Sequence, residues 1–114
     1  MDIRDAVQLL AALGQSTRLE AVRLMVRAEP AGIRASDIAA ALDVPRNTMS
    51  NHLNILTAAG LISFRKDGRQ MIYRADLERL GDLGRFLVEE CCGGHPELCA
   101  PAIGKICGAK EIPQ

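Results

Sequence analysis

The chain has 114 residues, which is the length of one domain of ordinary size. Hydrophobic residues make up 48% of the composition and charged residues 25%, which excludes global disorder, since disordered chains combine low hydrophobicity with high net charge. The 14 Lys and Arg residues balance 14 Asp and Glu residues, so a uniformly basic nucleic-acid-binding coat is excluded, although a local basic patch is not.

Membrane insertion and export are not indicated. No apolar stretch approaches the roughly 18 residues that a membrane-spanning helix needs. The first five residues, Met1 to Asp5, are acidic and lack the basic start of a signal peptide. We therefore expect a cytoplasmic protein.

The first third of the chain predicts two helices. Leucine and alanine recur at helical spacing from Asp5 to Leu13, and Gly14 ends this helix. Ser16 or Thr17 is expected to cap the second helix, with Glu20 completing a capping box. Residues 29–32, which include a proline and a glycine, stop it, and the next two residues form a strand or a loop.

A short third helix and a longer fourth helix follow. Ser36 and Asp37 mark the start of the third, and a turn at residues 43–45 ends it. The fourth helix runs from Arg46 to about Ala59 and is stopped by Gly60. Its predicted core stripe consists of three residues at positions i, i+4 and i+7: Met49, Leu53 and Leu56.

Beyond this helix the hydrophobic period changes to that of strands. Residues 61–65 and 70–74 predict a β-hairpin, because Asp67 and Gly68 between them form a strong turn signal. Asp76 is expected to cap a last helix that ends near Glu90. The sequence thus predicts a mainly α fold with a small β-hairpin, in the order α-α-α-α-β-β-α, over residues 1–90, and a Cys/Gly/Pro-rich tail over 91–114.

A short helix, a tight turn, a longer polar helix and a basic hairpin are typical of the winged helix-turn-helix, in which one helix enters the major groove of DNA and the hairpin contacts the flanking backbone. Residues 46–74 contain five basic residues and one acidic residue, a local charge of +4. The candidate DNA contacts lie on the fourth helix and the hairpin: Arg46, Asn47, Thr48, Ser50, Asn51, His52, Asn54, Arg65, Lys66 and Arg69. An ordinary solvated helix face beside a hairpin, or a winged helix that binds only protein, is the alternative.

Several motifs resemble the ArsR/SmtB-type repressors over residues 5–90. The segments 12–14 and 17–19 (ALG and TRL) resemble the opening signature of that family, and residues 50–56 and 59–62 its recognition-helix signature. The Lys66–Arg69 turn followed by Ile72–Arg74 matches the wing. The resemblance implies a homodimeric repressor that leaves its operator when a metal or metalloid binds, with the first and last helices forming the dimer interface.

The four cysteines all fall in the last 24 residues, which indicates metal binding or redox sensing rather than a disulfide scaffold. Cys91, Cys92 and Cys99 supply three thiols within nine residues. Thiolates are soft ligands, and trivalent arsenic or antimony takes three sulfurs in a pyramid. The hypothesis is therefore an As(III)- or Sb(III)-responsive repressor, and the tail resembles a C-terminal arsenic-sensing variant of the family.

Two other metal sites of the family lack their ligands here. Residues 36–42, which precede the recognition helix, contain no cysteine, and residues 76–90 contain acids but no histidine. Zinc, cadmium or lead would require a fourth ligand, which His95 or Cys107 could supply. A thiol redox switch and a packing role for the paired cysteines are further alternatives. No phosphate-binding loop or nucleophile motif indicates an enzyme.

Overall fold

The computed structural model describes residues 1–90, so Cys91, Cys92, Cys99, His95 and Cys107 lie outside the described residues. The helices and strands follow the predicted order, with one added strand. They are α1 (Ile3–Leu13), α2 (Ser16–Arg27), β1 (Ile33–Arg34), α3 (Ala35–Leu42), α4 (Arg46–Ala58), β2 (Ile62–Asp67), β3 (Gln70–Ala75) and α5 (Leu77–Arg85), which continues as a π-helical turn (Phe86–Glu90). No helix in this part of the chain is long and apolar enough to cross a bilayer.

The sheet has three antiparallel strands in the order β1-β3-β2. Ile33 of β1 pairs with Tyr73 of β3. The segment for which the sequence allowed a strand or a loop is therefore an edge strand, which connects the hairpin of β2 and β3, called the wing below, to the helices. In the hairpin, Asp67 pairs with Gln70, which leaves a two-residue turn at Gly68 and Arg69. The turn therefore lies one residue later than the Asp-Gly signal predicts, because Gly68 supplies the positive φ of 65° at its first position.

The core lies between the helices and the inner face of the sheet. The predicted stripe of α4 is confirmed, since Met49, Leu53 and Leu56 are all at most 1% exposed. They pack in one cluster with Leu9 of α1 and Met25 of α2, and with residues of the strands and α5. This burial fixes the rotation of α4 about its own axis and so decides which of its residues face outward.

The helix ends show one confirmed cap and one correction. Asp76 caps α5 as predicted, its side chain accepting the backbone N–H of Arg79 at 3.0 Å. The cap of α2 is not Ser16 or Thr17, however, but Gln15, whose Oε1 accepts the N–H of Arg18 at 2.9 Å. The longer glutamine side chain reaches the backbone N–H of Arg18, which has no partner within the helix, from one residue earlier than a serine cap would. The helix therefore begins at Ser16, and the predicted capping box does not form.

Helix α1 exposes an apolar stripe on the side away from the core. Leu10, predicted with the apolar face of this helix, is 41% exposed, and Val7 and Ile3 are 57% and 65% exposed. The inward positions are taken by Ala6, Leu9 and Ala12. Residues 3, 7 and 10 share one helix face at spacings of four and three, so the exposed stripe is continuous.

Candidate nucleic-acid interface

The outward face of α4 is polar and exposed. Helices α3 and α4 are joined by a turn in which Asp43 adopts a left-handed φ of 54°. Pro45 is the residue that directly precedes α4. With the apolar stripe turned inward, six of the seven predicted residues of this helix are exposed: Arg46, Asn47, Thr48, Ser50, Asn51 and Asn54. This face offers both hydrogen-bond donors and acceptors, the combination that reads base edges in a major groove.

The N-terminus of α4 has no side-chain cap. Asn47 Oδ1 accepts the backbone N–H of Thr48 at 2.9 Å, which leaves the amide NH₂ group of Asn47 to donate elsewhere. The uncapped N–H groups and the helix dipole give this end a partial positive charge. The first turn of α4 therefore adds to the attraction for an anionic backbone that Arg46 provides.

The wing carries the remaining predicted contacts, Arg65, Lys66 and Arg69, all of them exposed. Arg65 donates to the carbonyl of Ala31 at 3.5 Å, a long and weak contact that leaves most of its guanidinium free. Arg69 stands at the hairpin turn and, with Arg46 from α4, lines a cleft of about 310 Å³ between the helix and the wing. The structure thus brings Arg46 of α4 and Arg69 of the hairpin to one cleft.

Arg34 is a further cation at this cleft that the sequence pattern did not single out. It precedes α3 and donates to Asp37 at 2.8 Å and to Gln70 of the wing at 3.2 Å. The Asp37 carboxylate raises the pKa of Arg34 by hydrogen bonding and by charge. Its position on the two-residue strand β1 could not be identified from a hydrophobic pattern, because two residues are too few to show a period.

Arg74 belongs to the local charge of +4 but is engaged within the protein. It forms two hydrogen bonds with Glu29, at 2.7 and 3.1 Å, in the turn that follows α2. These hydrogen bonds hold the pKa of Glu29 below its ordinary value and raise that of Arg74. Arg74 therefore joins the wing to the turn after α2. Of the five basic residues in segment 46–74, the other four, at positions 46, 65, 66 and 69, form no salt bridge within residues 1–90.

His52 differs from the other predicted contacts because it is half-buried. Its Nδ1 lies 3.4 Å from Nη1 of Arg18, a residue at the first turn of α2. The structure therefore places His52 at the border between the exposed face of α4 and the junction of α1 with α2. This pairing could not be predicted from a sequence pattern, since 34 residues separate the two side chains.

The predicted thiol site lies outside the described residues. Within residues 1–90, no group of three or more His, Cys, Asp or Glu side chains is placed to hold a metal ion. The metal ligands predicted from the sequence, Cys91, Cys92 and Cys99, begin directly after the last described residue.

Comparisons with known proteins agree with this geometry. A family model described as a helix-turn-helix domain matches residues 13–63. A protein of Halobacterium salinarum provisionally named arsenical resistance operon repressor ArsR2 is 34% identical over 83 residues, which cover 68% of this chain and 69% of that protein.

Two solved structures resemble the fold. An ArsR-like transcriptional regulator from Rhodococcus sp. RHA1 is 34% identical with a TM-score of 0.68, over 90% of this chain and 92% of that one. A homodimeric winged helix-turn-helix DNA-binding domain from Mycobacterium bovis superposes with a TM-score of 0.61 at 24% identity, over 82% of each chain. The predicted winged helix-turn-helix architecture is thereby confirmed.

Proposed function

This chain belongs to the ArsR/SmtB family of DNA-binding transcriptional repressors, and we propose that it acts as a homodimer that leaves its operator when As(III) or Sb(III) binds Cys91, Cys92 and Cys99. The observation that carries DNA binding is the exposed polar face of α4 beside a basic wing. Base edges are read by such a helix, and phosphates are neutralised by cations on either side of it.

A second copy of this chain is the proposed occupant of the apolar stripe on α1. Ile3, Val7 and Leu10 form one exposed face, and Leu77 and Leu87 of the last helix are 50% and 38% exposed. Exposed large apolar side chains grouped on a helix face favour an interface between protein chains. The M. bovis domain of the same fold is a homodimer, which supports a second copy as the occupant. Two recognition helices would then reach major grooves about 34 Å apart.

The proposed thiol site begins directly after the last helix in the sequence. Cys91 and Cys92 follow directly on the π-helical turn that ends at Glu90. Met1, before α1, lines a small cavity together with Phe86 and Glu89 of that turn, so the start of the first helix and the end of the last are neighbours. A metalloid that binds three thiols at this point would act on both dimer helices, and a coupling of about 1–3 kcal/mol is sufficient for a large change in operator affinity.

Arsenite titration of the reduced protein tests this function. The probe is a duplex that the wild-type protein selects from a random pool, and release is followed by fluorescence anisotropy. We expect arsenite to release the wild-type protein and to fail with Cys91→Ser, Cys92→Ser and Cys99→Ser. Cys107→Ser is the matched control and should release normally.

Each of the other possible outcomes would assign a different function to this chain. Release by zinc with a requirement for His95 or Cys107 identifies a divalent-metal sensor. Release by peroxide alone identifies a thiol redox switch. If the wild-type protein selects no duplex and shows no salt-sensitive binding, DNA recognition itself is refuted.

A further inference from the structure

The cleft between α3, α4 and the wing is lined by three arginines from three different parts of the fold. Arg34 directly precedes α3, Arg46 is the first residue of α4, and Arg69 lies in the turn of the wing. The other residues of the described chain that line this cleft are uncharged. A cleft of about 310 Å³ with three cations and no carboxylate in its lining favours an anionic ligand.

Arg34 is held in one orientation by two partners. Its Nε and Nη2 donate to the two carboxylate oxygens of Asp37 at 2.8 and 3.3 Å, and its Nη1 donates to Oε1 of Gln70 at 3.2 Å. A guanidinium has five N–H donors, so these contacts leave one N–H on each Nη atom for a ligand. The side chain of Arg34 is 47% exposed, so a ligand can reach them. A guanidinium that is already ordered loses little conformational entropy when it binds an anion.

The cleft opens onto the face of α4 that we propose to read DNA. Arg46 and Ser50 line the cleft and also belong to the outward polar face, and Met49 and Leu53 complete the α4 side of the cleft. With roughly 100° between successive residues, these four positions are centred roughly 100° around the helix axis from the centre of the polar face at positions 47, 50, 51 and 54. When that face meets the base edges, the cleft therefore faces one wall of the major groove, which is phosphate backbone.

We propose that this cleft, called the arginine cleft below, holds one phosphate group of the DNA backbone between Arg34, Arg46 and Arg69. The inference rests on the proposed binding of DNA and is independent of the metalloid. It adds Arg34 to the DNA contacts, and it makes Asp37 and Gln70 positioning residues, since they touch Arg34 and not the phosphate. One phosphate would thus be held by α3, α4 and the wing together.

Substitution of Arg34 tests the contact through its salt dependence. On the selected duplex and on an unrelated duplex of the same length, Arg34→Met should weaken binding equally, by roughly 10-fold per protomer at low salt. The slope of log affinity against log salt concentration should become shallower by about 1 per protomer. Arg34→Lys keeps the charge and should keep the wild-type slope.

Two controls separate this loss from a general one. Arg23→Met makes the same change at an exposed arginine of α2 that lies outside the arginine cleft and has no side-chain partner within residues 1–90, and it should leave affinity and slope unchanged. Urea denaturation verifies that Arg34→Met is folded, which we expect because the Arg34–Asp37 ion pair is half exposed and contributes little to stability.

Duplexes with a single uncharged methylphosphonate locate the phosphate. At one position in each half-site, this replacement should weaken binding of the wild-type protein and have a much smaller effect on Arg34→Met. Arg46→Met and Arg69→Met should lose their sensitivity at the same position, because the three side chains meet one phosphate. Coupling of the three arginines to different phosphates would refute a single site.

The remaining outcomes each overturn the arginine cleft in a different way. Wild-type affinity and slope in Arg34→Met would refute the contact, and a loss confined to the selected duplex would assign Arg34 to a base. Displacement of the duplex by inorganic phosphate at constant ionic strength, absent in Arg34→Met, would assign the cleft to a free anion. If the wild-type protein binds no duplex, the proposed function fails as well, whereas equal binding by the wild-type protein and Arg34→Met refutes the arginine cleft alone.

Discussion

Helices α1 and α4 bury similar surfaces and expose opposite ones. Leu9 of α1 and Leu53 of α4 are both at most 1% exposed and belong to one core cluster. On their outer sides, α1 presents Ile3 and Val7, whereas α4 presents asparagine, serine and arginine. The inner face of each helix therefore determines the fold, and the outer face is left for a ligand, which in the proposed function is a second protein chain for α1 and DNA for α4.

The largest expected effect falls on the inner faces, where the two helices should behave alike. Leu53→Ala and Leu9→Ala should each lower the free energy of unfolding by about 2–5 kcal/mol, because each leaves a cavity in the core. Urea denaturation at fixed protein concentration measures the loss. Ile55→Ala is the control, since Ile55 is 45% exposed on the same helix as Leu53 and should lose less than about 1 kcal/mol. Equal losses at positions 53 and 55 would contradict the described core.

The second effect separates the outer faces. Val7→Asp places a carboxylate in the proposed interface twice, once from each protomer, and should weaken the dimer by roughly 100-fold or more while the protomer remains folded. Analytical ultracentrifugation measures the dissociation constant. Gln8→Asp adds the same charge at the adjacent exposed position and should have little effect on the dimer. A dimer that tolerates Val7→Asp would show that α1 faces something other than a second copy.

The third effect is a loss of DNA affinity on substitution of the outer face of α4. Asn51→Ala removes a donor and an acceptor from the exposed face and should cost about 1–3 kcal/mol of operator binding with an unchanged free energy of unfolding. Gln8→Ala removes the same kind of amide from α1 and should leave DNA affinity intact. Anisotropy titration of both variants decides between a reading helix and an ordinary solvated face, for which the two losses would be equally small.

The smallest effect concerns Glu29, which lies on neither outer face. Arg74 holds the pKa of Glu29 below its ordinary value, so the ion pair stabilises the fold above the ordinary carboxyl pKa, and this contribution is lost as pH falls through the lowered pKa. Glu29→Gln should therefore lower stability at neutral pH, and the difference from the wild-type protein should vanish in acid. Thermal unfolding at a series of pH values tests this, and a constant difference across the series would contradict it.

The order of elements could be predicted from the sequence because each helix carries its own hydrophobic period and stop signal. The apolar stripe of α4 and the glycine after it were sufficient to place that helix within one residue of its observed end. The cap at Gln15 was missed because glutamine is a rare cap whose reach depends on the path of the chain between α1 and α2.

The candidate site was predictable only as a set of exposed residues. The exposed residues of α4 follow from its buried stripe, since the two faces are complementary. The pairs Glu29–Arg74 and Arg18–His52, separated by 45 and 34 residues, depend on tertiary packing and leave no periodic signal. The thiol site remains a prediction, since it falls beyond residue 90.

Gly32, which packs against β3 at the base of the wing, and Gly68, which lies in the turn at its tip, differ in the space around them. A Cβ atom on Gly32 would lie 2.8–2.9 Å from side-chain atoms of Ile72 and Arg74 and from the Tyr73 carbonyl, whereas one on Gly68 would meet nothing within 4 Å. Changes at the hairpin tip therefore meet no steric resistance beyond the backbone conformation of its turn. Descendants of such a protein could acquire new operator preferences by altering the tip, while the closely packed base keeps the hairpin in place during that divergence.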